Sequence, residues 1–170
     1  MKNTILILIS LLFLTGISEG KEVSYLQDRN GIKYEVDSKK PFTGKYVEYY
    51  KNGNKSETNY KNGKEEGLQT VWYENGRKQF EIKIKNGKED GLSTMWHENG
   101  QKKFEINFKN GKKDGFLISW YENGQKKMEG NIKNEKKDGF WTYWDKEGNV
   151  TKTETYKDGE MRKLFTTDRT

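Results

Sequence analysis

The sequence predicts an all-β molecule, an elongated single-layer antiparallel meander of β-hairpin repeats. Three observations point there. Glycine recurs at a fixed period. Each period holds two short segments rich in Trp, Tyr, Phe, Ile and Thr. One of those segments alternates apolar and polar residues.

Gly67, Gly91, Gly115 and Gly139 lie 24 residues apart, and Gly44 precedes Gly67 by 23. Nine residues after each lies another glycine: Gly53, Gly76, Gly100, Gly124 and Gly148. Eleven residues further come Gly87, Gly111, Glu135 and Gly159; Gly63 follows after ten, which accounts for the shorter first spacing. Self-similarity at such a period is the signature of a repeat array, in which each unit rests on its neighbours. Five copies are read at 44–66, 67–90, 91–114, 115–138 and 139–162. A degenerate half-repeat (21–43) precedes them and a C-terminal tail (163–170) follows.

Within a copy the segments are six to eight residues long and bounded by turn signals. That length and composition favour strands over helices. The first segment alternates Leu68-Thr70-Trp72, Leu92-Thr94-Trp96, Phe116-Ile118-Trp120 and Phe140-Thr142-Trp144. The second alternates Phe80-Ile82-Ile84, Phe104-Ile106-Phe108 and Met128-Gly130-Ile132, with Gln79-Glu81-Lys83 and its equivalents at the other parity.

A two-residue Asn75-Gly76 loop would send the Trp row and the Phe/Ile row to opposite faces. A three-residue Glu74-Asn75-Gly76 loop pairs Tyr73 with Arg77, Trp72 with Lys78 and Thr70 with Phe80, so both rows share one face. Facing decides register, and the three-residue loop is the expectation: a type I turn closed by glycine in the left-handed region. Asp90-Gly91, Asp114-Gly115 and Asp138-Gly139 are read as the second connection. The apolar face then needs cover, from the sheet curling over its own aromatic row or from a second copy in a homodimer.

Hydrophobic residues make up 31%, charged residues 34% and aromatics 14% of the 170-residue chain. Mean hydropathy is −1.17. The aromatics supply a small core where aliphatic residues are scarce. Net charge is +6, with lysines interleaved among acids. That gives a solvated surface with weak attraction to anionic partners, anionic membranes included, and argues against a nucleic-acid binder, which concentrates its charge.

Met1 to Gly20 differs from the rest. Lys2 is followed by a short apolar run, Ile5 to Leu14, and then small residues at Gly16, Ser18 and Gly20. This reads as a signal peptide (1–20). The run is shorter than the roughly 20 residues a membrane span needs. The expectation is an exported protein, periplasmic, at the cell surface or secreted, and free of disulfides because it has no cysteine.

The stretches Trp72-Tyr73-Glu74-Asn75-Gly76, Lys109-Asn110-Gly111-Lys112-Lys113-Asp114-Gly115 and Trp120-Tyr121-Glu122-Asn123-Gly124-Gln125-Lys126-Lys127 resemble the bacterial MORN-repeat variant. Pro41-Phe42-Thr43-Gly44 at the start of the first copy is similar too. The resemblance spans about residues 30 to 160. It is to proteins grouped as the YwqK family of toxin–antitoxin antitoxins, and implies a non-enzymatic protein that binds another protein, a toxin or an envelope protein. Repeats of this kind also resemble modules found in some lipid-kinase chains, but no phosphate loop or His-Arg-Asp run is present here.

The chain departs from that pattern in places. Glu135 stands where a turn glycine is expected, which predicts a rearranged turn. Gly130 leaves a gap in the Phe/Ile row, and Lys152 and Glu154 give the last copy a polar cap.

No catalytic, cofactor or metal site is expected. Nucleophilic catalysis needs a nucleophile beside a base. The chain has no cysteine, and its one histidine, His97, occupies the position of Tyr73 and Tyr121 in neighbouring copies. Glu81, Glu105 and Glu129 are copies of one position flanked by lysines and read as rungs of a charge ladder. What remains is binding. Val71, Tyr73, Met95, His97, Tyr121, Trp141 and Tyr143, with Lys83, Lys103 and Lys127 nearby, form the candidate partner-binding face, placed opposite the core. Aromatics among lysines suit protein contacts and, less well, anionic lipid or glycan on a membrane or host surface.

Overall fold

The computed structural model describes residues 22–166. The segment read as a signal peptide lies outside them. The described strands are β1 (Glu22–Val23), β2 (Gln27–Arg29), β3 (Ile32–Tyr34), β4 (Gly44–Tyr49), β5 (Lys55–Lys61), β6 (Lys64–Trp72) and β7 (Lys78–Lys85). They continue as β8 (Lys88–Trp96), β9 (Lys102–Lys109), β10 (Lys112–Trp120), β11 (Lys126–Lys133), β12 (Lys136–Trp144), β13 (Val150–Lys157) and β14 (Glu160–Thr166). Twelve form one sheet in the order β1, then β4 to β14 in sequence. Every pair is antiparallel except β1 with β4. This is the expected all-β hairpin meander, a single long layer. β14 carries it into the stretch read as a tail, to Thr166. In the half-repeat, β2 and β3 form a separate hairpin, tied to the array by Lys33 N donating to the Gly63 carbonyl at 2.9 Å.

The first connection is the three-residue loop. Tyr73 N donates to the Arg77 carbonyl at 2.9 Å, and Gly76 (φ 78°) closes the turn with its N–H on the Tyr73 carbonyl. The second connection is corrected. It is the two-residue turn at Asn62-Gly63, Asn86-Gly87 and Asn110-Gly111, with both residues at positive φ (Asn86 52°, Gly87 72°). Those dihedrals make a type I′ turn, whose twist matches the strands it joins. The Asp-Gly pairs sit inside β8, β10 and β12, at breaks in register. They are β-bulges of two extra residues each, with a glycine at positive φ in the bulge. At Asn134-Glu135 the turn is not rearranged: Glu135 itself adopts φ 63° and keeps the bond to the preceding hairpin, on the Lys113 carbonyl, at 3.2 Å.

A second set of bulges overturns the expected facing. Trp72 pairs with Lys78 as predicted, but Val71 then pairs with Phe80, leaving Gln79 as an extra residue. Lys103 and Lys127 are the equivalent extra residues in β9 and β11. Directly opposed residues share a face, so the Trp row and the Phe/Ile row lie on opposite faces. A single layer has two faces, and here each carries its own aromatics. On the Trp face each indole is covered by a lysine: Lys55 over Trp72 (5.2 Å), Lys78 over Trp96 (5.7 Å), Lys102 over Trp120 (5.8 Å) and Lys126 over Trp144 (5.5 Å). The same ammonium groups bind Glu57, Glu81, Glu105 and Glu129. Leu68, Leu92, Phe116 and Phe140, expected in the core, are exposed on this face.

The core centres on one row running across the other face, with Ile84 and Ile132 buried beside it. By register it passes through Tyr46, Thr58, Gln69, Ile82, Ser93, Ile106, Leu117, Gly130, Trp141, Glu154 and Leu164. Ile82, Ile106 and Trp141 are each 1% exposed. Phe104, Phe108, Met128, Tyr143 and Tyr156 pack over Ile106, Leu117, Ile132 and Trp141, so the chain covers this row itself. Gly130 is not a gap. Trp141 lies on its backbone, with indole atoms 2.2–2.6 Å from where a Cβ would stand.

Candidate functional site

Beside the core row, on the same face, runs a second row: Val71, Phe80, Met95, Phe104, Ser119, Met128 and Tyr143. Where it passes β8 to β11 it lines a groove of about 790 Å³. Met95, Phe104 and Met128 supply the apolar lining. Lys103, Lys113, Lys127 and Lys146 add four ammonium groups, against Glu122 as the lining carboxylate.

Local structure explains why these side chains meet. Lys103 and Lys127 are the extra residues of the bulges, and a bulge re-aims a side chain out of the strand's alternation. His97 and Tyr121 stand at the bases of the three-residue loops. Tyr73 and Tyr121 donate their hydroxyls to the carbonyls of Trp96 (2.8 Å) and Trp144 (2.9 Å), one copy on. His97 does the same through Nε2, 3.2 Å from the Trp120 carbonyl. Histidine here replaces tyrosine as a strut between copies. The turn asparagines run parallel to it: Asn75, Asn99 and Asn123 donate to the carbonyls of Glu98, Glu122 and Lys146. The rim is therefore held by bonds that repeat from copy to copy.

The structure gathers Met95, His97, Tyr121, Lys103 and Lys127 of the expected face into this groove. Val71 and Tyr143 lie in the same row, on either side of it. These residues share a face with the Phe/Ile row, not the opposite one, because of the bulges. Tyr73 lines a smaller cavity beside Asn54, Gln79 and Glu98. Lys83 opposes Leu68 on the Trp face, away from the groove. Trp141 is buried and has no exposed face to offer.

The sequence reading missed Phe104, Met128, Lys113 and Lys146. Lys113 carried a visible signal. The residue two places before the Asp-Gly glycine, or its equivalent, is Glu65, Glu89, Lys113 and Lys137 in successive copies. One repeat position thus reverses its charge along the array, and the groove forms where it has become basic.

Beyond the groove a polar cluster closes the face. Glu154 is buried beneath Tyr143 and Tyr156, whose hydroxyls donate to it at 2.7 and 2.9 Å, and Lys152 binds it at 2.7 Å. Burial pushes its carboxyl up, but the bonds from Lys152, Tyr143 and Tyr156 outweigh burial and hold it at about 2. Lys137 sits 4.5 Å from the Trp141 ring and 2.6 Å from the Tyr143 hydroxyl. Among the described residues no group of His, Cys, Asp and Glu could hold a metal ion.

No curated protein matches the chain. Three consecutive stretches, residues 65–86, 89–110 and 113–134, each a hairpin running to its second turn, match the MORN repeat variant, a kind of repeat that commonly serves as a protein- or membrane-binding module.

Proposed function

We propose that the chain is a non-enzymatic, exported protein-binding module whose groove on β8 to β11 takes an acidic partner. The observation that carries this is the composition of the groove: an apolar lining of Met95, Phe104 and Met128 among four lysines. Methionine and aromatic surface supplies contact area that adapts to a partner. Lysines around it select acidic groups and raise the association rate. The resemblance to antitoxins makes an immunity-like role, towards a toxin or an envelope protein, the first to test. A toxin-like gene beside this one would support it.

The deciding experiment is affinity capture from the native cell envelope with the full chain and with Lys103→Glu/Lys127→Glu. The expected result is a protein retained by the wild type, released by raised salt and absent from the variant. Identical capture profiles for the two would overturn the proposal.

A second reading rests on the Trp face. Leu68, Leu92, Phe116 and Phe140 stand exposed at equivalent positions of successive copies, and Phe140 is 76% exposed. Two strand spacings separate neighbours, roughly 10 Å. Such a row suits insertion into a membrane surface. Co-sedimentation with anionic vesicles at low salt tests it, and an unbound chain there rules it out.

A further inference from the structure

The core row changes character at its N-terminal end. From β7 onward it carries Ile82, Ile106, Leu117 and Trp141, with Ser93, Gly130 and Glu154 at the intervening strands. In β4, β5 and β6 the same row carries Tyr46, Thr58 and Gln69. Thr58 and its neighbour Ser56 are buried all the same. Burying hydroxyl groups costs stability unless they are bonded. Three successive strands with no aliphatic residue in the row set this end apart from the later copies, where Ile82, Ile106, Leu117 and Trp141 interrupt the polar positions. These polar residues surround a cavity of about 340 Å³, within the range of small-molecule sites, roughly 300–1,000 Å³.

We propose that this cavity binds a neutral pyranose unit, either a free sugar or a residue of an envelope glycan. The polar groups are already aligned by one another. Gln69 Nε2 donates to Thr58 Oγ1 at 3.1 Å, and the Tyr60 hydroxyl donates to Glu65 at 3.2 Å. The Tyr50 hydroxyl lies 3.4 Å from Ser56 Oγ. Hydroxyls and an amide both donate and accept, as a sugar's own hydroxyls do. Tyrosine rings offer apolar surface to the C–H side of a pyranose. Charge argues for neutrality. Lys33 on one wall disfavours a cation, while Glu48 and Glu65 disfavour an anion. This cavity is lined by residues of β3 to β6 and two loop residues, Leu26 and Tyr50, and shares none with the lysine groove.

The test is titration calorimetry with saturation-transfer NMR. The probes are the methyl glycosides of glucose, galactose, mannose and N-acetylglucosamine, short oligosaccharides of each, and spermidine as a cationic control. At least one glycoside should saturate with a Kd of about 1 mM or tighter. Equal affinity for the monomer and its oligomers identifies a free sugar; tighter binding of an oligomer identifies a glycan. Gln69→Ile, which copies the residue at Ile82, should keep the spectrum of a folded sheet and weaken binding at least tenfold. Tyr46→Phe, a smaller change, should weaken it too. Lys103→Glu should leave it unchanged. Saturation by spermidine alone, by no probe, or with unaltered affinity in both cavity variants would overturn the proposal.

Discussion

At Gly130 the backbone itself is the packing surface for Trp141. A methyl group there would meet the indole at 2.2 Å, so Gly130→Ala must displace the ring or the strand. Overpacking of this kind costs about 1–3 kcal/mol. Urea unfolding followed by Trp fluorescence should show that loss; an unchanged midpoint would mean that the ring moves aside freely. Glu154 gives a pH dependence with a definite sign. Its folded value, about 2, lies below the ordinary 4.5. A depressed carboxylate contributes fully above its unfolded value and loses that contribution as pH falls through the folded one. Between pH 4.5 and about 2 the wild type should therefore lose more thermal stability than Glu154→Gln. Parallel melting curves would contradict this. At this scale the sequence showed both residues incompletely: Gly130 as a gap, and Glu154 as part of a polar cap with Lys152, without the tyrosines that bury it. Gly130 does not tell from its own copy that the Trp141 indole lies on it from β12. Glu154 does not tell from the alternation of its strand that the hydroxyls of Tyr143 on β12 and Tyr156 on β13 itself converge on it.

At the scale of the hairpin, the turns were legible and the bulges were not. Asn-Gly and its glycine positions announce turns because only residues tolerant of positive φ fit there. A bulge leaves the alternation of its own strand readable while shifting its partner by one residue, and that shift exchanges the faces. The choice of the three-residue loop at Glu74-Asn75-Gly76 was therefore right, although the shared face from which it was chosen was wrong. The first copy shows what removing a bulge does: Tyr49 pairs Lys55 and Glu48 pairs Ser56 without interruption. Deleting Lys103 should accordingly preserve both flanking pairs, Trp96 with Lys102 and Met95 with Phe104, and leave a folded sheet. Deleting Glu105 should instead drive Ile106 and Phe108 onto the Trp face. Losing the buried Ile106 alone costs about 2–5 kcal/mol. Circular dichroism and thermal melts of the two deletions distinguish these outcomes; equal loss in both would refute the assignment of Lys103 as the bulged residue.

Over the whole molecule, each strand from β5 to β14 packs chiefly on its sequence neighbours, so stability is close to a sum of units and their interfaces. The two ends differ. At the N-terminal end β1 pairs with β4, and the β2–β3 hairpin is bonded to the first turn of the array. At the C-terminal end β14 is exposed throughout, including Met161, Leu164 and Phe165. Amide hydrogen exchange should be slowest in β8 to β11 and fastest in β14. A flat profile would show that the array opens as one cooperative body. The groove belongs to this scale too. Its lysines come from two bulges, a strand and a turn spread over three copies, and the charge reversal from Glu65 and Glu89 to Lys113 and Lys137 places it.

The sequence by itself determined the strand content, the period, the direction of the meander and the three-residue loop. Each is set by local rules, such as alternation, length and the need for positive φ, that act within one copy. The tertiary structure decided which residues share a face, what covers the core row and where the lysines meet. Those depend on register between strands, and one extra residue at Gln79, Lys103 or Lys127 is enough to change register without leaving a mark in the alternation that surrounds it.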